Sequence, residues 1–303
     1  VMTSPPDPLS AMRRGGTTGD SHSPSPEVRT PGASPGRLSL NQITAEHASL
    51  EETVDACARH GIPYIAVWRH KLAETGLDRA VRLVRDAALR VSSVCRGGMF
   101  PAATRAEREA RIEDNRRAVD EAAALGAEIL ILVCGAAPPP DRDIAAARRM
   151  VADGIAELAP SATERGVRLG IEPLHPAFAA ERSCITTLAE ARCLAERFDP
   201  ATVGVVADVY HVWWDPELYG EIARAAGRLV GFHVSDWLVP MENVLMGRGM
   251  MGDGVIELRR IRAAVEGAGY AGPIEVEIFN EEIWRMPLDT LLPLIKERYV
   301  TCV

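Results

Sequence analysis

The sequence predicts a closed (β/α)8 barrel that forms a single domain. Three observations predict this fold: short apolar runs alternate with longer segments of helical period, glycine follows most of those segments, and the unit repeats eight times. Short runs of Val, Ile, Leu, Gly and Ala are typical of strands buried on both faces of a parallel sheet. Because single strands that alternate with helices pair in parallel, eight such units favour a closed barrel over an open sheet.

The predicted strands begin at Arg37 and are spread evenly over the chain. In chain order they are RLSLNQ, YIAVW, VSSVC, EILILVCG, RLGIEP, VGVVAD, LVGFHV and PIEVEIF. The predicted helices span residues 50–60, 77–89, 106–125, 142–164, 188–197, 216–226, 256–267 and 288–299. Glycine stands just past five of these helices, where a left-handed C-cap favours it: Gly61, Gly126, Gly166, Gly227 and Gly269. No GxGxxG motif follows the first strand, which counts against a dinucleotide-binding fold.

The first 36 residues differ in composition from the rest of the 303-residue chain. They are rich in Pro, Ser, Gly and Thr and lack periodic apolar residues, so we expect a disordered tail at 1–36 and the barrel at 37–303. This tail lacks the continuous apolar segment of a secretory signal. The six cysteines form no CxxC pair or zinc-knuckle spacing, which is typical of reduced thiols. We therefore predict a cytoplasmic location.

Charge and hydropathy restrict the partners of the protein. The net charge is −8 at pH 7 and no lysine-rich stretch occurs, so the composition argues against nucleic acid as a ligand. No apolar stretch approaches the roughly 20 residues that a membrane helix needs, so no membrane partner is expected. The segment WLVPMENVLMG is apolar enough to form either an interface in a homo-oligomer or a lid.

Four side chains that can bind a metal stand at or near the ends of predicted strands five to eight. They are Glu172, Asp208, His233 and Glu277. Because a parallel barrel gathers the C-terminal ends of its strands at one mouth, these side chains are expected to converge. Three carboxylates and an imidazole suit a divalent cation. The alternative is structural: the glutamates form salt bridges with nearby arginines, and the histidine packs in the core.

The chain resembles the xylose-isomerase-like TIM-barrel superfamily, in particular the sugar-phosphate isomerases and epimerases that include the ketose 3-epimerases. The motifs that carry this resemblance are IEPLHP, ADVYHVWW, FHVSD, RGMMGDG and EVEIF. The resemblance implies that a divalent metal ion is bound by the four strand-end residues Glu172, Asp208, His233 and Glu277. Mn²⁺ is the expected ion, with Mg²⁺, Co²⁺ or Zn²⁺ as alternatives. It also implies that His211 and Arg248 contact the substrate.

The reaction that the resemblance implies is proton transfer next to the carbonyl of a small sugar or polyol. The metal stabilises an enediolate, one of the glutamates Glu172 and Glu277 removes the proton, and the other can return it on the opposite face. This describes an isomerase or epimerase. A lyase, either a dehydratase of an inosose-like cyclic ketone or a keto-sugar deglycosidase, fits the same residues. A related endonuclease of abasic DNA is disfavoured by the acidic barrel, and a scaffold without metal or turnover is the non-enzymatic alternative.

Four further residues near the predicted mouth have two readings each. His175 and Trp68 are assigned as substrate contacts. The alternative is loop packing for His175 and packing at the strand end for Trp68. Arg96 either meets a substrate carboxylate or phosphate or is solvated or ion-paired. Lys71 either forms a Schiff base or, more in keeping with its charged surroundings, is a solvated surface residue. The segment between His233 and Arg248 is longer than simple ketose epimerases require, which leaves the substrate open.

Overall fold

The computed structural model of this protein describes residues 32–303. Its strands are β1 (Leu38–Asn41), β2 (Tyr64–Trp68), β3 (Arg90–Gly98), β4 (Ile129–Val133), β5 (Arg168–Glu172), β6 (Val203–Asp208), β7 (Leu229–Val234), β8 (Asp236–Trp237), β9 (Arg248–Gly249) and β10 (Ile274–Val276). Parallel strands close into a barrel in the order β1-β10-β7-β6-β5-β4-β3-β2, and β8 pairs with β9 in a separate antiparallel ribbon. The predicted (β/α)8 barrel is therefore confirmed.

The helices fill the connections between the strands. They are α1 (Leu50–His60), α2 (Arg69–Thr75), α3 (Leu77–Asp86), α4 (Arg105–Ala124), α5 (Ile144–Arg165), α6 (Leu188–Ala195), α7 (Val209–Val212), α8 (Leu218–Arg224), α9 (Leu258–Gly267), α10 (Glu281–Trp284) and α11 (Leu288–Cys302). The predicted helices all occur, with ends shifted by a few residues. The short helices α2, α7 and α10 were not predicted. Every helix within 32–303 is too short or too polar to span a lipid bilayer.

Local signals at the ends of α1 explain why its predicted bounds are correct. The Ser49 hydroxyl accepts a hydrogen bond from the Glu52 amide, and the Glu52 carboxylate accepts one from the Ser49 amide, which forms a capping box. Gly61 ends the helix with a φ of +65°, a left-handed conformation that glycine adopts without steric cost. Both signals depend on residues close in sequence, so they can be recognised without the fold.

Residues 33–36, which precede the predicted boundary at Arg37, contact the barrel. Ala33 is buried, and the Tyr299 hydroxyl on α11 donates a hydrogen bond to the Ser34 carbonyl at 3.2 Å. A short 3₁₀ turn at Pro35–Arg37 then leads into β1. Residues 33–36 therefore belong with the barrel, while the remainder of the predicted tail, 1–31, lies outside the described residues.

Two hydrophobic clusters lie on opposite faces of the barrel sheet, one inside the barrel and one between the strands and the helices. On β4, Leu130 and Leu132 belong to the large cluster between strands and helices, whereas Ile129 and Ile131 belong to a small inner cluster. This division follows from the strand geometry, in which successive side chains point to opposite faces. The inner positions at the C-terminal ends of the strands are therefore directed at the mouth, where polar side chains can meet.

Gly98 is expected to be indispensable to the packing of β3 against β4. Its φ is +97°, and a Cβ atom there would lie 2.1 Å from the carbonyl oxygen of Val133. We expect Gly98→Ala to lower the free energy of unfolding by about 3 kcal/mol, because strain and a backbone clash act together. Gly126→Ala is the matched control, since Gly126 has a φ of +68° but nothing within 4 Å of an added Cβ. Chemical denaturation that gives equal losses for both variants would contradict the clash.

Candidate metal centre

The four strand-end residues meet at the mouth of the barrel. Glu172 ends β5, Asp208 ends β6, His233 lies on β7, and Glu277 directly follows β10. Each contributes one donor atom, and the four donor atoms all lie within 4.8 Å of one another. All four side chains are buried. The structure thus brings together the residues that the sequence singled out, although they come from four different strands.

Two of the atoms in this cluster that could bind a metal have no hydrogen-bond partner among the described residues. Glu172 Oε1 and His233 Nδ1 are 3.0 Å apart, but the contact does not have hydrogen-bond geometry. Buried polar atoms that lack partners are costly, and native proteins rarely tolerate them without a reason. Carboxylate oxygens and an imidazole nitrogen are suitable ligands for a divalent cation. The residues present therefore fit a metal ion held by Glu172, Asp208, His233 and Glu277.

The orientation of His233 indicates which ring nitrogen faces the ligand cluster. Nδ1 lies 3.0 Å from Glu172 and 3.7 Å from Glu277, whereas Nε2 lies 3.2 Å from the Glu275 carboxylate. Burial lowers the pKa of His233, but Glu275, together with Glu172 and Glu277, outweighs burial and holds this pKa well above its usual value. A carboxylate behind the second nitrogen is the arrangement that orients metal-binding histidines. Nδ1 is therefore the nitrogen available to a metal ion.

Glu275 is a buried site residue that the sequence reasoning missed. It lies on β10 two residues before Glu277, so both side chains point into the barrel. Asn41 connects the two, because its Nδ2 atom lies 3.2 Å from an oxygen of each carboxylate. Burial opposes ionisation, but His233 holds the pKa of Glu275 below its usual value. The alternation in PIEVEI, with acids two positions apart, is the sequence signal that could have identified it.

Arg248 lies inside the cluster as the partner of two of the candidate ligands. Its Nη1 atom donates to Asp208 Oδ2 at 2.9 Å and to Glu277 Oε2 at 3.0 Å. The guanidinium also stacks over the rings of Tyr210 and Phe279, 4.6 and 4.9 Å from their centroids. Despite burial, the neighbouring carboxylates raise the pKa of Arg248 further, so it stays charged. Pairing of Arg248 with Trp237 in the β8–β9 ribbon puts this side chain in place.

The carboxylates of the cluster differ in their affinity for protons. Burial raises the pKa of Asp208 to about 7, and burial also raises the pKa of Glu172. For Glu277 burial acts in the same direction, but Arg248 and His233 outweigh it and hold its pKa well below the usual value. Paired carboxylates whose environments separate their pKa values are typical of acid and base groups in catalysis.

His211 is held in its neutral form next to Arg248. Burial lowers its pKa well below the usual value, and the charge of Arg248 adds to this effect. The His175 amide donates to Nδ1 at 3.2 Å, so the proton of the neutral ring is on Nε2, which lies 3.1 Å from Arg248 Nη2 and 3.6 Å from Asp208 Oδ2. His211 lines the cavity above the ligand cluster. His211 is therefore a neutral group that lies between Arg248 and the cavity wall.

The two remaining predicted substrate contacts, Trp68 and His175, lie in different surroundings. Trp68 lines the cavity, and its indole N–H donates to Asn41 Oδ1 at 2.7 Å. The His175 ring instead stacks on Trp237, 5.0 Å between centroids, and its Nδ1 accepts from the Ala177 amide. His175 is not among the residues that line the cavity, because its side chain is occupied in capping a 3₁₀ turn. Trp68 therefore lies at the cavity, whereas the His175 side chain lies outside its lining.

The predicted solvated position of Lys71 is wrong. Helix α2 turns the side chain inward, so that Lys71 is buried and its Nζ atom donates to the Glu46 carbonyl at 2.6 Å. It is also not among the residues that line the cavity, so a Schiff base at this site is not supported. Cys95 does line the cavity, and burial raises the pKa of its thiol well above the usual value. This thiol is therefore a packing group rather than a nucleophile.

The loop between β8 and β9 covers the cavity. Leu245 lines the cavity and, with Val244, packs against Leu174 and Phe178; the Tyr210 hydroxyl donates to the Val244 carbonyl at 2.7 Å. This cavity has a volume of about 30 Å³, enough for a water molecule. A neighbouring cavity of about 310 Å³ shares Trp68, Cys95 and Arg96 with it. The segment WLVPMENVLMG therefore forms part of the wall above the ligand cluster.

Asp236 and the glycines of RGMMGDG give this covering region its shape. The Asp236 carboxylate accepts hydrogen bonds from the amides of Gly252 and Ile256 at 2.9 and 3.0 Å. At Gly254 a Cβ atom would lie 2.3 Å from the Trp237 carbonyl oxygen, so only glycine allows this close approach. Asp236 therefore stabilises the loop and has no direct part in the ligand cluster.

The comparisons with solved structures agree with the barrel fold. A protein of Sinorhizobium meliloti, SMc04130, is 50% identical in sequence and superposes with a TM-score of 0.86, covering 88% of this chain and 98% of that one. The IolI protein, solved with a bound zinc atom, superposes with a TM-score of 0.78 at 18% identity, again over 88% of this chain and 98% of its own. At that identity the second likeness shows the fold alone.

Sequence comparison gives one enzyme relative and a family. The chain is 28% identical over 246 residues to a 3-dehydroshikimate dehydratase of Pseudomonas aeruginosa, a match that covers 77% of this chain. It spans only 36% of the length of that relative. Residues 54–297, most of the chain, match the family model of the xylose isomerase-like TIM barrel. The protein is therefore a member of the xylose isomerase-like TIM-barrel family.

Proposed function

We propose that this protein is a divalent-metal-dependent isomerase or epimerase that removes a proton next to the carbonyl of a sugar or polyol. The observation that carries the proposal is the convergence of four buried donor atoms within 4.8 Å. The zinc atom bound to IolI supports a divalent cation. Mn²⁺ is the ion that the family resemblance implies. When bound, the cation supplies Lewis-acid stabilisation of the negative charge that develops on the carbonyl oxygen.

Glu172 and Glu277 take the proton-transfer roles. Burial raises the pKa of Glu172, which makes its carboxylate the stronger proton acceptor of the two. Glu277 is kept ionised by Arg248 and is steadied by Asn41. The two residues come from strands that β6 and β7 separate in the barrel. They therefore approach a small substrate from different sides, as removal and return of a proton on opposite faces requires.

The surrounding residues hold the substrate and exclude water. Trp68 and Phe279 line the cavity with their rings 5.8 Å apart and provide an apolar wall for the C–H face of a sugar. Arg248 remains charged beside Glu277, with neutral His211 at its other edge. Closure of the loop that carries Leu245 removes water and strengthens these electrostatic contacts.

A lyase is the second candidate, and one observation favours it. The relative with 28% identity over 77% of this chain is named as a dehydratase. A dehydratase can begin with the same proton abstraction by Glu172, after which the hydroxyl on the β-carbon takes up a proton and leaves as water while a double bond forms. The ligand cluster serves both reactions, so the product distinguishes them.

The test is solvent-deuterium exchange by the Mn²⁺-loaded protein, with a panel of ketoses and inososes followed by NMR. We expect deuterium at a carbon next to the carbonyl of at least one compound, loss of exchange after chelation, and recovery when Mn²⁺ is restored. An inverted centre or a moved carbonyl identifies an isomerase or epimerase, whereas a new double bond identifies a lyase. Metal-free purified protein whose thermal stability ignores Mn²⁺, Mg²⁺, Co²⁺ and Zn²⁺ would contradict the proposal.

A further inference from the structure

Two arginines line the cavity above the ligand cluster without a carboxylate partner. They are Arg96, on β3, and Arg182, between β5 and α6. Within residues 32–303 neither guanidinium forms an ion pair. Arg96 donates to the thioether of Met99 at 3.5 Å, and Arg182 lies over the ring of Phe178, 5.8 Å from its centroid. Both side chains are half-buried, so water compensates them only in part.

Neighbouring arginines at the same mouth have carboxylate or carbonyl partners. Arg69 binds the carboxylates of Asp114 and Glu121 at 2.8 and 2.6 Å. Arg111 donates to the carbonyl oxygens of Met99 and Pro101. The contrast matters because an arginine in a partly buried position is normally paired. The unpaired guanidinium groups at the cavity wall are therefore candidates for a ligand contact.

The charges around the cavity also leave room for an anion. The cluster has four carboxylates, those of Glu172, Asp208 and Glu277 and, below them, that of Glu275. Arg248 contributes one positive charge and a divalent cation two, so one negative charge remains. Arg96 and Arg182 reverse this balance and make the upper cavity positive. Burial lowers the pKa of Arg182 and the charges of Arg96 and Arg248 lower it further, while the charges of Glu277 and Glu172 act in the opposite direction. The guanidinium groups thus repel one another, and a bound anion would relieve that repulsion.

We propose that the substrate is a polyhydroxy ketone that carries an oxyanion, a carboxylate or phosphate, and that Arg96 and Arg182 bind this group. The inference rests on the proposed function, because it takes the ligand cluster as the position of the carbonyl. Guanidinium groups present N–H donors in a planar fork that matches carboxylate and phosphate oxygens. An anion held by the arginines would direct the carbonyl of the same molecule toward Glu172 and Glu277.

The test compares three probes on the Mn²⁺-loaded protein: D-fructose, D-fructose 6-phosphate and quinate, which is a polyol carboxylate. Dissociation constants are measured by calorimetry for the wild type and for Arg96→Gln and Arg182→Gln. We expect at least one anionic probe to bind about tenfold or more tightly than fructose. Each substitution should weaken that probe by about 10- to 100-fold and leave fructose within about twofold. The anion that binds identifies carboxylate or phosphate as the recognised group.

Arg82→Gln is the matched control, since Arg82 is exposed on α3 and has no ion pair among the described residues. It should leave all three affinities unchanged. Anion affinity that is unaffected by both cavity substitutions, or anions that bind no better than fructose, would overturn the inference. Mn²⁺ affinity without any probe is measured in parallel and should be the same in both variants. A wild-type protein that binds no Mn²⁺ contradicts the proposed function. A wild-type protein that binds Mn²⁺ but does not prefer the anionic probes contradicts only this inference.

Discussion

Replacement of Glu172 or Glu277 by glutamine is expected to reduce proton exchange by at least about a thousandfold. Glutamine keeps the size of the side chain and one oxygen donor, but its amide cannot accept the proton. Both positions are buried, so water has little access to replace the missing base. Exchange is measured by NMR in D2O at saturating Mn²⁺, which separates loss of proton transfer from weaker metal binding.

The control for this prediction is Glu109→Gln on α4, where the carboxylate is exposed and paired only with Arg105 among the described residues. Its exchange rate should equal that of the wild type. If either buried variant retains exchange within about tenfold of the wild type at saturating Mn²⁺, the assignment of proton transfer to that glutamate is wrong.

The affinity for Mn²⁺ is expected to rise with pH up to and beyond about 7. Burial raises the pKa of Asp208 to about 7, and the surrounding carboxylates raise that of His233 well above its usual value. Both groups carry protons below those pKa values, and a cation must displace the protons in order to bind. Each proton released strengthens binding about tenfold per pH unit, and the contribution of Asp208 levels off above its pKa. The number of protons released when Mn²⁺ binds is measured by calorimetry in buffers of different ionisation enthalpy.

Asp208→Asn separates the contribution of Asp208 from that of His233. Asparagine still accepts the hydrogen bond from the Tyr210 amide, which is 2.8 Å long in this structure, so the local fold is kept. We expect Mn²⁺ affinity to fall by about 100-fold or more and the remaining pH dependence to be shallower. Asp143→Asn, at the exposed N-cap of α5, should change neither quantity. An affinity that does not vary with pH would contradict the prediction.

The sequence predicts the regular elements of this fold well where the signals are local. Strand composition, the capping box at Ser49 and glycine at Gly61 all act within a few residues, and α1 has the predicted bounds. Helices α2, α7 and α10 were missed, because segments of four to seven residues are too short to show a helical period. Lys71 was misplaced for the same reason, since α2 is the helix that buries it.

The positions of the four candidate ligands follow from the sequence by itself. Strand order and alternation place Glu172, Asp208, His233 and Glu277 at one end of a parallel barrel. Only the tertiary structure decides their partners: Glu275 lies behind His233, Arg248 joins Asp208 to Glu277, and no carboxylate pairs with Arg96 or Arg182 among residues 32–303. Side-chain pairing depends on distances between elements far apart in the chain, and loop conformation sets those distances. Strand periodicity depends on neighbouring residues and is therefore readable from the sequence.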